Sequence, residues 1–247
     1  MTSKNSSPRE PFSKMLPNIV TIFGICVGLT AVRTALQGNI NAALYLLVFA
    51  MILDAVDGRL ARALQSESKI GAELDTLADF FNFGIATPLV IYFTIFADTA
   101  VARFGWIAVM IFSVCCALRL ARFNVSQSSE VKSVNFVGVP APALACLGLS
   151  PLFLVMAGVE VSEHYAVPAI IFVLICAALA VGTFPTLSLK GITFPASMRL
   201  PVILLVVTFL VCLIVFPWYT LLFANAIYFL VIPIFAYTNR SKPAADV

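Results

Sequence analysis

Long apolar runs separated by short polar connections constrain this chain more than any other feature. Eight runs can be marked, each close to the roughly 20 residues that a membrane-spanning helix needs. They cover residues 17–36, 40–62, 70–96, 102–123, 138–157, 166–183, 201–216 and 219–237. The sequence therefore predicts an all-α polytopic membrane protein with about eight transmembrane helices.

Composition excludes the other broad classes. Hydrophobic residues make up 61% of the 247 residues and charged residues 11%, whereas a soluble domain has about 45–50% and about 25%. A mean hydropathy of +1.03 is also too high for a membrane β-barrel, whose strands alternate polar and apolar residues. No extended soluble stretch remains, so any activity has to be built from the helices.

The basic residues predict the orientation. When eight spans alternate across the bilayer, all but Arg33 and Arg103 of the 15 Lys and Arg residues fall on the side of the termini. The positive-inside rule then places both termini and the loop around residues 63–70 in the cytoplasm, as in a multi-pass inner-membrane protein. Residues 1–15 are polar and predict no cleavable signal peptide. The net charge of +3 gives no indication of a nucleic-acid partner.

Four aspartates break the rule that charges avoid the spans. Asp54 and Asp57 lie near the end of the second run, and Asp75 and Asp79 near the start of the third. An aspartate at the centre of a span costs about 2.5–3.5 kcal/mol on insertion scales, and less near the ends. Intramembrane carboxylates are therefore functional by default.

Helical spacing predicts that the four carboxylates converge. Asp54 and Asp57 are three residues apart, Asp75 and Asp79 are four apart, and each pair therefore shares one helix face. The Ser66–Ile70 turn makes the two helices antiparallel, so the pairs can face each other near the cytoplasmic surface. Clustered carboxylates are favourable around hard divalent cations. A pair of such metals about 3.5–4 Å apart is a common arrangement for moving phosphoryl groups.

Small residues accompany the aspartates. Gly58, Ala61 and Gly71 lack bulk where a nucleotide or diphosphate would approach a helix backbone, and Arg62 can reach phosphate as a planar fork. Other interpretations remain open for single residues. Carboxylates also form proton or sodium pathways, Asp/Arg pairs can be structural, and glycines can serve close helix packing alone.

The complete pattern is D-x2-D-G-x2-A-R-x8-G-x3-D-x3-D, and it resembles the signature of the CDP-alcohol phosphotransferases. Every position is present, at Asp54, Asp57, Gly58, Ala61, Arg62, Gly71, Asp75 and Asp79. The resemblance implies a core of six helices, two divalent cations (Mg²⁺ or Mn²⁺) among the aspartates, and a homodimer. We therefore expect a phosphotransferase transmembrane core over residues 16–183 and two additional helices over 184–237. The distribution of basic residues makes 1–15 and 238–247 the cytoplasmic segments.

The resemblance also implies residue roles. Asp54, Asp57 and Asp75 would be metal ligands, and Asp79 would be both a ligand and the catalytic general base. The CDP-lipid would contact Asp57 and the motif residues Gly58, Ala61, Arg62 and Gly71. Asn18 and Thr21, one turn apart on the first helix, are further candidates for the diphosphate or a metal-bound water. Interhelical hydrogen bonding is the alternative role for these two.

A wider region, roughly residues 16–157, is similar to the phosphatidylserine synthases of bacteria and archaea, a subgroup of that family. The similarity rests on Pro17-Asn18-Ile-Val-Thr21, on Leu118-Arg119-Leu-Ala-Arg122-Phe-Asn124, and on Asn135-Phe136-Val-Gly138-Val-Pro140-Ala-Pro142. It implies phosphatidyl transfer from CDP-diacylglycerol to L-serine with release of CMP, by metal-assisted single displacement within the lipid membrane.

Candidates for binding the acceptor or its phosphate lie at the end of the fourth run and beyond it. They are Arg119, Arg122, Asn124 and Lys132. Arginine can bind a lipid diphosphate or the serine carboxylate. Alternatively, the two arginines anchor the helix at lipid headgroups, and Lys132 is a solvated charge.

Other functions remain open from the sequence. Glycerol 3-phosphate or inositol phosphate could replace serine as the acceptor, and both would call for extra cationic residues. A cation transporter using the aspartates would give ion flux without CMP release, although no inverted repeat favours it. The two C-terminal runs carry almost no intramembrane polar groups and are interpreted as scaffold or dimer surface.

Overall fold

The computed structural model of the protein describes residues 12–66, 68–128, 139–182 and 198–239. The chain forms two compact units, Met1–Asn82 and Phe83–Val247, and each is described by itself. Within the described residues the secondary structure is helical, with no strand.

Three helices build the first unit. A 3₁₀ turn at Phe12–Met15 leads into α1, Leu16–Leu36, followed by α2, Ile40–Ala63, and α3, Lys69–Asp79. Helix α1 packs along α2 and also contacts α3. The turn between α1 and α2 needs the left-handed backbone of Gly38, at φ +76°.

The turn from α2 towards α3 is closed by hydrogen bonds. Gln65 adopts a left-handed φ of 48°, and the Ser66 amide donates to the Ala61 carbonyl at 3.0 Å. This is a Schellman-type ending with glutamine in the position that usually favours glycine. The Ser68 hydroxyl then caps α3 by accepting from the Gly71 amide at 3.0 Å. The two caps fix the ends of both carboxylate-bearing helices.

The helix that starts with α3 continues to residue 96 with two π-helical segments. These are Phe80–Ala86 and Tyr92–Phe96, and α4, Thr87–Ile91, lies between them. Pro88 has no amide hydrogen to donate, which interrupts the regular hydrogen-bond ladder between the two segments.

The second unit is built mainly around α5, Ala102–Ser128, which packs against α8, Glu163–Val181. Between them in the chain lie α6, Ala141–Gly148, and α7, Ser150–Met156. The missing amide hydrogen of Pro151 accounts for the break at Leu149 that separates these two short helices. Phe112 and Phe153 are fully buried in this unit.

Two further helices end the described chain. In α9, Arg199–Val215, no residue is buried. In α10, Pro217–Asn239, the polar residue Asn225 is only 7% exposed. Its Nδ2 donates to the Cys146 carbonyl at 2.6 Å and to the Ser150 hydroxyl at 2.8 Å. Asn225 is thus a buried polar group of α10 that ties this helix to α6 and α7.

The predicted fold class is confirmed. Six helices among the described residues are long and apolar enough to cross a membrane. Of the other two predicted spans, 201–216 corresponds to the 17-residue α9, at the short end of the spanning range, and 138–157 corresponds to α6 and α7. The protein is an all-α polytopic membrane protein. All six cysteines are free.

Candidate active site

The structure brings the predicted carboxylates together. Asp54 and Asp57 of α2 and Asp75 of α3 each offer an oxygen that lies within 4.8 Å of the other two. The side chain of Asp79 is a hydrogen-bonding neighbour of Asp54. The helical spacing thus correctly predicted that both pairs face each other, and these four residues are called the aspartate cluster below.

The members of the aspartate cluster differ in solvent exposure. Asp57 is 3% exposed, Asp54 is half-buried and Asp75 is exposed. One side of the cluster is therefore closed by the protein, and the Asp75 side is accessible from outside this unit. Such a cluster can bind one ligand at the buried Asp57 and leave the exposed Asp75 accessible to a second ligand.

Helix α1 supplies the closed side. The Thr21 hydroxyl donates to Asp57 Oδ2 at 2.6 Å, and it also lies 3.0 Å from the Pro17 carbonyl of its own helix. The other oxygen, Asp57 Oδ1, is buried and has no hydrogen-bond partner among the described residues. A buried carboxylate oxygen in that position is costly unless something compensates its charge.

This donor set fits divalent cations. Two unit charges about 5 Å apart repel by roughly 3 kcal/mol at an effective dielectric constant near 20, and a bound cation reverses that sign. Hard cations such as Mg²⁺ prefer carboxylate oxygens. The unpartnered Asp57 Oδ1 and the convergence of Asp54 and Asp75 are the observations that make the fit.

The two motif glycines differ in their surroundings. A Cβ on Gly71 would lie 3.0 Å from Asn18 Oδ1 and 3.1 Å from Ser68 Oγ, so a larger residue there would have to push these two side chains aside. A Cβ on Gly58 would meet no atom within 4 Å. Only Gly58 therefore leaves open space next to the aspartate cluster. The other two motif residues differ in exposure, with Ala61 half-buried and Arg62 exposed.

The candidates on α5 contact backbone. Arg119 donates through Nε to the Val139 carbonyl. Arg122 donates through Nη2 to the carbonyl of Val181, the last residue of α8, at 2.8 Å. Positive charge at a helix C-terminus is stabilising, so Arg122 has a structural role in this unit. Asn124 is half-buried at the end of α5, and Lys132 lies outside the described residues.

Asn82 is a buried polar residue that the sequence reasoning missed. It is 3% exposed and follows Asp79 by three residues, inside the first π-helical segment. The available signal was an amide side chain within an otherwise apolar span, a combination that marks functional positions in membranes.

Sequence similarity to known proteins shows the family of this chain. The sequence profile of the CDP-alcohol phosphatidyltransferase family matches residues 14–184. The chain belongs to this family. A second profile, described as CDP-alcohol phosphatidyltransferase 2, matches residues 197–233. The aspartate cluster therefore lies in a CDP-alcohol phosphatidyltransferase, a family that generally uses divalent metal ions.

Curated relatives share the same region. A CDP-diacylglycerol–serine O-phosphatidyltransferase of Mycobacterium leprae is 44% identical over 158 residues, covering 62% of this chain and 52% of the relative. One of Bacillus subtilis is 35% identical over 127 residues, covering 51% and 69%. An archaetidylserine synthase of Methanothermobacter thermautotrophicus is 28% identical over 160 residues, covering 63% and 64%. The chain spans about half the length of the mycobacterial relatives that it matches.

Proposed function

We propose that this protein transfers the phosphatidyl group of CDP-diacylglycerol to L-serine and releases CMP. The observation that carries the proposal is the convergence of the carboxylates of Asp54, Asp57 and Asp75 within 4.8 Å on two membrane helices. They lie within residues 14–184, which match the CDP-alcohol phosphatidyltransferase family. Relatives at 35–44% identity are named CDP-diacylglycerol–serine O-phosphatidyltransferases, which supports serine as the acceptor.

The reaction is a single displacement at the phosphorus atom that bears the diacylglycerol. The serine hydroxyl oxygen forms the new P–O bond, and the P–O bond to CMP breaks with its electron pair leaving on CMP. Asp79 accepts the hydroxyl proton as general base. Two bound divalent cations, Mg²⁺ or Mn²⁺, would supply the neutralisation of phosphate charge that this displacement needs.

The protein's own residues bind and orient the reactants. Asp54, Asp57, Asp75 and Asp79 would hold the cations, and the Thr21 hydroxyl donates to the carboxylate of Asp57. The open space at Gly58 admits the CDP group, whose phosphates the exposed Arg62 can reach. Gly71 and Asn18 shape the adjoining edge of α3. The sequence gives Arg119, Arg122, Asn124 and Lys132 as further candidates for binding the serine carboxylate.

The cellular setting is part of the proposal. The distribution of Lys and Arg supports an inner-membrane protein with both termini and the aspartate cluster on the cytoplasmic side. The phosphotransferase core is residues 16–183, and the two C-terminal helices within 184–237 are an addition to it. Helix α9, with no buried residue, offers a surface for the homodimer.

A CMP-release assay in detergent–lipid micelles tests the proposal. Purified protein is supplied with CDP-diacylglycerol, Mn²⁺ or Mg²⁺, and in parallel with L-serine, glycerol 3-phosphate or inositol phosphate. We expect metal-dependent release with serine only. Release with another acceptor would replace serine and keep the mechanism. If folded protein releases no CMP with any acceptor, the proposal is wrong and the cation-transporter hypothesis is favoured instead.

Asp79→Asn tests the role of the general base. The amide keeps the size of the side chain and loses the proton acceptor, so turnover is expected to be abolished while CDP-diacylglycerol binding is largely retained. Equilibrium binding of the CDP-lipid, measured on the same preparation, separates the two effects. An active Asp79→Asn protein would overturn the assignment.

A further inference from the structure

Helix α1 contacts both carboxylate-bearing segments, although it carries no acidic residue itself. Its Thr21 holds Asp57 of α2 at 2.6 Å. Two turns further along α1, Gly28 lies against Asn82, three residues after Asp79. Helix α1 therefore contacts Asp57 of the first aspartate pair directly, and it contacts Asn82, which lies three residues after Asp79 of the second pair.

The contact between Gly28 and Asn82 is unusually close. A Cβ built on Gly28 would overlap Asn82 Oδ1 and lie 3.2 Å from its Cγ. The same atom would lie 3.4 Å from Cε1 of Phe81. Asn82 is 3% exposed, so any shift of its amide has to be accommodated by the surrounding protein. The amide of Asn82 thus occupies the space that a side chain at position 28 would need.

We propose that Asn82 is a positioning residue whose seat on Gly28 sets the location of Asp79 relative to Asp57. Asn82 and Asp79 lie on one continuous helix, so displacing Asn82 along α1 displaces Asp79 with it. Thr21 keeps Asp57 in register with the same α1 helix. The separation between the two carboxylate pairs follows from these two contacts. This inference rests on the metal site in the proposed function.

Glycine at position 24 provides a matched control on the same helix. A Cβ on Gly24 would lie 3.7 Å from Asn82 Nδ2 and 3.9 Å from Cβ of Leu53, which is ordinary van der Waals contact. Gly24→Ala and Gly28→Ala therefore add the same methyl group one turn apart, and only Gly28→Ala should displace Asn82.

The test is a double-mutant cycle read out by Mn²⁺ binding, measured by electron paramagnetic resonance on detergent-solubilised protein. We expect Asn82→Ala to weaken Mn²⁺ binding about tenfold, in the range seen when residues that orient metal ligands are removed. Gly28→Ala should weaken it at least as much. In the Asn82→Ala background, Gly28→Ala should have no further effect, because the clash is gone. Gly24→Ala should bind as the unmodified protein does.

Two results would overturn the inference. One is unchanged Mn²⁺ affinity in Asn82→Ala. The other is an additive loss in the double variant, which would mean that the two residues act separately. If Gly28→Ala does not fold, Asn82→Ala alone decides. CMP release measured in parallel distinguishes the two proposals, because a protein without CMP release but with these Mn²⁺ shifts would refute only the proposed function.

Discussion

Helices α1 and α9 look alike in sequence and differ in what they do. Both are apolar, at 21 and 17 residues. Helix α1 buries Thr21, Gly24 and Gly28 on one face and uses that face to contact the carboxylate-bearing segments. Helix α9 buries nothing within its unit. Apolarity places both helices in the membrane, but the few polar and small positions decide which one serves a site.

The largest effect expected from this difference is loss of activity at Asp57. Asp57→Asn removes a buried negative charge and should lower CMP release by about 1000-fold, equivalent to about 4 kcal/mol of transition-state stabilisation. The rate with CDP-diacylglycerol, serine and Mn²⁺ is the measurement. Asp98→Asn, at an exposed position between helices, is the control and should retain full activity. Equal losses of CMP release in Asp57→Asn and Asp98→Asn would show that activity does not depend specifically on the aspartate cluster.

A smaller effect is expected at Thr21. Thr21→Val keeps the shape and removes the donor to Asp57, so half-maximal activation should need about 10–100-fold more Mn²⁺. Thr21→Ser should restore most of the affinity. Thr30→Val is the matched control, since the exposed Thr30 hydroxyl donates to the Cys26 carbonyl of the same helix. Equal metal dependence of the two valine variants would disconnect α1 from the cluster.

At Asn225 of α10 the effect should be on stability alone. Asn225→Ala removes the bonds to the Cys146 carbonyl and to Ser150, and should cost about 1–2 kcal/mol of unfolding free energy. Unfolding in SDS measures it, with Mn²⁺ affinity unchanged. Thr220→Ala, which loses a bond to the carbonyl of Phe216 just before α10, should change much less. A change of Mn²⁺ affinity in Asn225→Ala would contradict the expectation that Asn225 acts on stability only.

The smallest effect is expected on α9. Leu205 is 71% exposed, and Leu205→Ala should change the unfolding free energy by less than about 0.5 kcal/mol. Leu44→Ala, at a fully buried position of α2, should cost about 2–3 kcal/mol by leaving a cavity. A large loss at Leu205 that is accompanied by dissociation into monomers would identify α9 as the dimer surface.

Much of the fold could be predicted from hydropathy, because apolar runs of spanning length have one solution in a bilayer. The start of α2 was predicted correctly and its end to within one residue. The π-helical segments at Phe80–Ala86 and Tyr92–Phe96 were not predicted, because segments of seven and five residues are too short to show a distinct periodicity in the sequence. The break before Pro151 had a visible cause in the proline, which a hydropathy window averages away.

The candidate site, like the fold, could be predicted from the sequence only in part. The aspartate cluster follows from helical spacing, because residues three and four apart must share a face. The contacts of α1 do not, because Thr21 could equally have faced lipid, a ligand or a neighbouring helix. Asn82 and Asn225 were missed for a related reason. A single amide in an apolar run shows that a partner exists but does not identify it.

The position of α1 along its own axis has a consequence for the surrounding lipid. Sliding α1 by one helical turn, about 5.4 Å, would separate Thr21 from Asp57 and Gly28 from Asn82 together. A spanning helix adjusts its tilt and depth to the thickness of the hydrocarbon layer. Bilayers of different acyl-chain length should therefore alter the affinity of the carboxylates for metal.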